Sequence, residues 1–84
     1  MNHQPQIKIL RKPEVLERTG YSKSTLHSRI NEQLFVPAIS LGGKRSVGWI
    51  CHEVDTVLLS MAKNKSQQEI QEVVRSLIAE RQCL

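Results

Sequence analysis

Thr19-Gly20-Tyr21-Ser22-Lys23-Ser24-Thr25-Leu26 is a helix end and a helix start written back to back. Gly20 takes without steric cost the left-handed conformation that closes a helix, and Leu16 stands where the apolar contact of a Schellman cap would meet Tyr21. Ser22 is a good N-cap for the next helix, which puts Tyr21 just outside it, facing Leu26 as a hydrophobic staple. One aromatic residue then fixes both sides of a tight turn. Helix, glycine turn, helix is the sequence form of a helix-turn-helix.

Upstream, Pro13 suits the first turn of a helix because its missing N–H would be unpaired there, and Glu14 and Glu17 suit the positive end of the helix dipole. A helix is expected over Pro13 to Thr19, with Lys12 as a poor N-cap. Ile7 to Leu10 is a short apolar run that reads as a strand, and Met1 to Gln6 as a frayed tail. Downstream, Leu26 and Ile30 are one turn apart with Leu34 following, an apolar stripe set against Val15 and Leu16. At about 100° per residue, Ser24, Ser28 and Asn31 point the other way, flanked by Thr25 and His27, with Lys23 and Arg29 at the margins.

After Phe35 and Pro37 the period changes to two. Ile39 and Leu41 alternate with Ala38 and Ser40, and Val47 and Trp49 with Ser46 and Gly48, the pattern of a β-hairpin. Gly42-Gly43-Lys44-Arg45 supplies the positive φ values of its loop and two cations at its tip. Such a ribbon beside a helix-turn-helix is a wing. The helical period returns with Val54, Val57, Leu58, Met61 and Ala62. Lys63-Asn64-Lys65 reads as a linker, and Ser66 with Glu69 as a capping box. That box opens a helix from Gln67 to about Arg81 with an apolar stripe of Ile70, Val73, Val74, Leu77 and Ile78.

The expected fold is therefore mainly α with a small β-hairpin, a winged helix-turn-helix with an extra C-terminal amphipathic helix. It divides into a flexible tail at 1–6, a winged helix-turn-helix domain at 7–63 and the amphipathic helix at 66–82. Eighty-four residues suffice for one domain with a modest core and leave no room for a deep catalytic cleft.

Charge points to a partner. Met1 to Ile50 carries eight Lys/Arg against three Asp/Glu, whereas Cys51 to Leu84 carries four against five. A basic surface concentrates polyanions, and the nucleic-acid backbone is the commonest of these. Reading duplex DNA needs a protruding helix with short polar side chains in its first turns, because bulky ones hold the backbone away from the base edges. Ser24, Thr25 and Ser28 meet that need. Lys23, His27 and Arg29 can reach bases or phosphates, the N–H groups near Ser22 can bind a phosphate, and Lys44 and Arg45 can enter the minor groove or grip the backbone. The same pattern also describes a solvated helix face and a charged loop. Trp49 is assigned to the core.

Catalysis and metal binding find no support. His52-Glu53 is a lone pair without a nucleophile or phosphate cradle, and Cys51 and Cys83 lack the spacing of a disulfide framework or zinc knuckle. No cofactor is expected. The polar amino terminus and the lack of an apolar run near the about 20 residues of a membrane span lead to a cytoplasmic expectation.

The segments Leu10-Arg11-Lys12-Pro13-Glu14-Val15-Leu16, Thr19 through Leu26, Leu41-Gly42, Val47-Gly48-Trp49 and Glu53-Val54-Asp55 together resemble the AlpA family of prophage regulators, over roughly Leu10 to Leu58. The resemblance implies a winged helix-turn-helix related to MerR-type and phage excisionase domains, binding double-stranded DNA as a transcriptional regulator or as a directionality factor in excision. It sets Ser22 to Arg29 as the recognition helix and Lys44 to Ser46 as the wing. This chain departs from the family at His27, where an aromatic is usual, at Arg29, where an aliphatic is usual, and at Phe35-Val36, where Phe-Pro is usual. A changed recognition face implies a different target sequence.

The C-terminal helix lies beyond that resemblance. Its stripe either folds back onto its own domain or pairs with a second copy, and the homodimer, through Ile70, Val73, Val74, Leu77 and Ile78, is the favoured expectation because a detached stripe would be an exposed apolar patch. Two other readings stand beside the regulator: an excisionase-like architectural protein that bends DNA, and a protein-interaction module whose last helix docks on another regulator.

Overall fold

The computed structural model describes residues 7–83; the tail expected at Met1 to Gln6 lies outside them. In chain order the elements are β1 (Ile9–Leu10), α1 (Lys12–Thr19), α2 (Lys23–Asn31), β2 (Ile39–Gly43), β3 (Ser46–Ile50), α3 (Cys51–Ala62) and α4 (Gln67–Glu80), closed by a 3-10 turn at Arg81–Cys83. The architecture is mainly helical with a small three-stranded antiparallel sheet in the order β1-β3-β2, compatible with a winged-helix-like fold.

The α1–α2 junction forms much as its residues dictate. Gly20 sits at φ 75°, and the Ser22 hydroxyl accepts the Thr25 N–H at 3.1 Å, a cap contributing about 1 kcal/mol. Two details differ. Thr19 Oγ1 donates to the Val15 carbonyl at 2.8 Å and accepts the Tyr21 N–H at 3.2 Å, so a side chain takes the place of the Schellman backbone bond. Helix α1 is capped by Arg11 instead of Lys12, because Glu14 Oε1 reaches back to the Arg11 N–H at 3.2 Å.

The second helix is shorter than its apolar spacing suggests. Leu34 is not on the α2 stripe: the helix ends at Asn31 in a full Schellman turn. Leu34 N–H donates to the Arg29 carbonyl at 2.8 Å and Gln33 N–H to that of Ile30 at 3.0 Å, with Gln33 at φ 62°. Pro37 disfavours a helical Val36, and Leu34, Phe35 and Val36 fill the core as a buried irregular segment. The Tyr21 ring meets Phe35 edge-on at 6.1 Å between centroids, and its hydroxyl donates to Met61 Sδ at 3.5 Å. That aromatic pins the turn to α3 as well as joining the two helices.

The hairpin pairs Ile39 with Gly48, Ser40 with Val47 and Gly43 with Ser46, and the register shifts between Ser40 and Gly43. Of the two loop glycines only Gly42 has positive φ, at 96°; Gly43 belongs to β2, which leaves Lys44 and Arg45 alone at the tip. Beyond the expected hairpin, β1 adds a third strand through Ile9 opposite Ile50 and Leu10 opposite Trp49. Trp49 is buried, and its indole N–H donates to the Val36 carbonyl at 3.0 Å.

Helix α3 buries Val54 and Val57 as expected but also Glu53 and Ser60, whereas Ala62 is exposed. Helix α4 opens with the Ser66/Glu69 capping box, Ser66 N–H to Glu69 Oε1 at 3.0 Å and Glu69 N–H to Ser66 Oγ at 3.2 Å. Ile70, Val74 and Leu77, expected at a dimer interface, are buried in the chain's own core, with Val73 half-buried and packed against it. This is the fold-back alternative: side chains already removed from water within the chain have little area left to offer a second copy. Of the stripe only Ile78, at 38%, is exposed. Among the described residues no helix is long and apolar enough to cross a membrane.

Candidate nucleic-acid interface

Nine of the ten residues singled out in the sequence fall into four groups around α2 and the hairpin. Ser22 and Thr25 are tied to one another, Oγ to Oγ1 at 2.9 Å, and their hydroxyls serve the helix cap. Ser24 and Ser28 are exposed on the outer face of α2, the short polar surface that lets a helix backbone approach a groove floor. Lys23 and His27 share the flank of α2 that looks toward the hairpin, where they line an open hollow of about 240 Å³ with Val47 and Trp49. Lys44 and Arg45 are exposed at the loop tip, and Ser46 is half-buried opposite Gly43.

Arg29 stands apart from the rest. It is half-buried on the opposite flank, its guanidinium 6.0 Å from the centroid of the Tyr21 ring, a cation–π distance. The hairpin therefore lies on the Lys23/His27 side of α2, while Arg29 faces the side that Tyr21 ties to α3.

Three of the cations are held by carboxylates. Arg18 is paired with Asp55, Lys65 with Glu69 and Arg81 with Glu53. Among the described residues Lys23, Lys44 and Arg45 enter no such pair. A phosphate meeting them displaces water and counterions only, whereas one meeting Arg18 or Arg81 would first have to break an existing bond.

Lys12 was missed in the sequence. It is exposed, it also enters no ion pair among the described residues, and it lines the same hollow as Lys23 and His27. The signal available was a cation one residue before a helix-starting proline in a basic half-chain, which marks a helix terminus but does not say what it faces. Among the described residues no group of three or more His, Cys, Asp or Glu is placed to hold a metal ion, and Glu53, beside His52, is engaged by Arg81.

The class these features define is a small, mainly helical protein with an antiparallel sheet, compatible with the winged-helix-like proteins, carrying on a hairpin tip and on the adjoining helix cations that enter no ion pair among the described residues. Residues 8–58 match the family described as prophage CP4-57 regulatory protein (AlpA), and the chain belongs to that family. It is 32% identical over 68 residues to the DNA-binding transcriptional activator AlpA of Escherichia coli strain K12, across 75% of this chain and 97% of that protein. It is 45% identical over 49 residues to the uncharacterized protein ORF88 of Enterobacteria phage P4, across 58% of this chain. That second match spans about half of its relative, 54% of its length. No solved structure matches the chain.

Proposed function

We propose that this protein is a sequence-specific DNA-binding transcriptional regulator, with residues 7–63 as its DNA-binding domain in the form of a winged helix-turn-helix. Helix α2 enters the major groove with Ser24 and Ser28 foremost, Lys23 and His27 on the hairpin side and Thr25 and Arg29 on the other. The loop carrying Lys44, Arg45 and Ser46 meets the backbone or the adjacent minor groove, and the N-terminal turn at Ser22 approaches a phosphate. Residues 66–82 act as a packing element that holds α3 behind that surface.

The observation that carries the reading is the placement of exposed cations around one hollow and one loop: Lys23 on the hairpin-facing flank of α2, and Lys44 and Arg45 at the hairpin tip, none of them in an ion pair among the described residues. Family membership, and the DNA-binding activator from Escherichia coli among the relatives, support the same reading. A protein of this kind works in the cytoplasm, on the nucleoid.

The test is selection of bound duplexes from a randomised DNA pool at near-physiological salt, with sequencing of what the purified protein retains. A retained motif, lost when Lys23, Arg29, Lys44 and Arg45 are reversed in charge, is the expected result. Retention equal to that of the charge-reversed protein, with no motif enriched, overturns it.

A further inference from the structure

The hollow beside α2 has a rim and a floor of different chemistry. Lys12, from α1, and Lys23 and His27, from α2, stand at its edge, and Ala38, Val47 and Trp49 contribute apolar surface from the hairpin side. Val47 is a hydrophobic residue left 37% exposed in a strand whose next three residues are buried. Lys12 belongs to neither the recognition helix nor the wing, and it forms no ion pair among the described residues.

A helix in the major groove and a hairpin tip in the neighbouring minor groove must straddle the sugar-phosphate strand that divides the two grooves. In this protein the space between helix and hairpin is that hollow. We propose that the dividing strand of duplex DNA crosses it, with Lys12 and Lys23 gripping phosphates at the rim and Val47 meeting deoxyribose, so that Lys12 is a backbone-contacting residue supplied by α1. The apolar floor would strip water from a buried phosphate without replacing its hydrogen bonds, which keeps the phosphate at the cationic rim. A contact of this kind adds affinity and sets orientation but carries no sequence information.

The inference rests on the DNA-binding reading above, and its test separates the two. The affinity of the full chain is measured against a duplex recovered by selection and against an unrelated duplex, over a series of salt concentrations, for the wild type, Lys12→Gln, Lys12→Arg and Arg75→Gln, the last at an exposed position of α4. Removing one phosphate contact lowers the slope of log K against log salt by about 0.9 and weakens both duplexes alike, by about fivefold near physiological salt. Lys12→Gln is expected to do this, Lys12→Arg to restore it and Arg75→Gln to leave the slope unchanged. Val47→Asp, which sets a carboxylate beside the strand, is expected to weaken both duplexes as well.

A wild type that prefers its selected duplex while Lys12→Gln keeps the full slope overturns the inference and leaves the DNA-binding reading intact. A Lys12→Gln protein that weakens the selected duplex alone also overturns it, because Lys12 would then read bases. A wild type that binds neither duplex overturns both.

Discussion

Arg81 closes on Glu53 from the far end of the chain: Nε and Nη2 donate to the carboxylate at 2.9 and 2.6 Å, and Nη2 donates again to the Pro37 carbonyl at 2.9 Å. The Glu53 side chain is 1% exposed and that of Arg81 18%. Three segments distant in sequence, the approach to the hairpin, α3 and the closing turn, meet at one guanidinium. Losing one partner of a buried pair leaves an uncompensated charge, so Arg81→Met is expected to cost about 3 kcal/mol in urea denaturation. The double variant Glu53→Met with Arg81→Met should lose less than Arg81→Met alone. Equal losses would mean that the stranded carboxylate is not the cause.

Gln33 holds a left-handed conformation that glycine adopts without penalty, and its side chain is exposed. Gln33→Gly should therefore stabilise the fold by about 0.5–1 kcal/mol, whereas Gln33→Val, β-branched at positive φ, should destabilise it. Thermal melts of the two variants check the opposite signs.

Gly48 is required by close approach. A methyl there would collide with Ile9 Cγ2 and stand 3.2 Å from the Leu10 carbonyl oxygen, pressing β1 away from β3. Gly48→Ala is expected to cost about 1–3 kcal/mol and to reduce hydrogen-exchange protection of the Cys51 amide, which donates to the Lys8 carbonyl at 2.8 Å. Unchanged protection would show that β1 adjusts freely.

Glu69 is held below its ordinary carboxylate range, first by the Ser66 backbone N–H and then by the Ser66 hydroxyl, with Lys65 adding a smaller attraction. A depressed folded-state pKa gives stability that is present above the unfolded value of 4.5 and is lost as pH falls through the folded value. The first turn of α4 should accordingly lose amide protection on acidification below that range. In Ser66→Ala, which removes the hydroxyl but keeps the backbone N–H, the Glu69 titration, followed by NMR, should move up only part of the way toward 4.5.

Val74 is buried on the inner face of α4 and Leu77 nearly so. Val74→Asp is expected to unfold the chain or cost about 3 kcal/mol or more, since it sets an unpaired charge in the core. Sedimentation together with circular dichroism distinguishes this from dissociation of a dimer, which would lower the mass and leave the helix content intact.

Local chemistry was legible in the sequence wherever a few neighbouring residues decide the backbone. Gly20 and Ser22 set the α1–α2 junction, Ser66 and Glu69 the start of α4, and the alternation around Ile39 and Val47 the hairpin, because caps and strand periods act over a handful of residues. The short polar face of α2 and the cations of the loop were readable for the same reason. Only the tertiary structure decided what depends on residues far apart in sequence. It sent the α4 stripe to the chain's own core, since an amphipathic pattern states that a face is apolar and not what covers it. It gave Glu53 its partner and brought Lys12 to the hollow beside Lys23. It also ended α2 before Leu34, where burial of Leu34, Phe35 and Val36 outweighed a helical spacing that continued on paper.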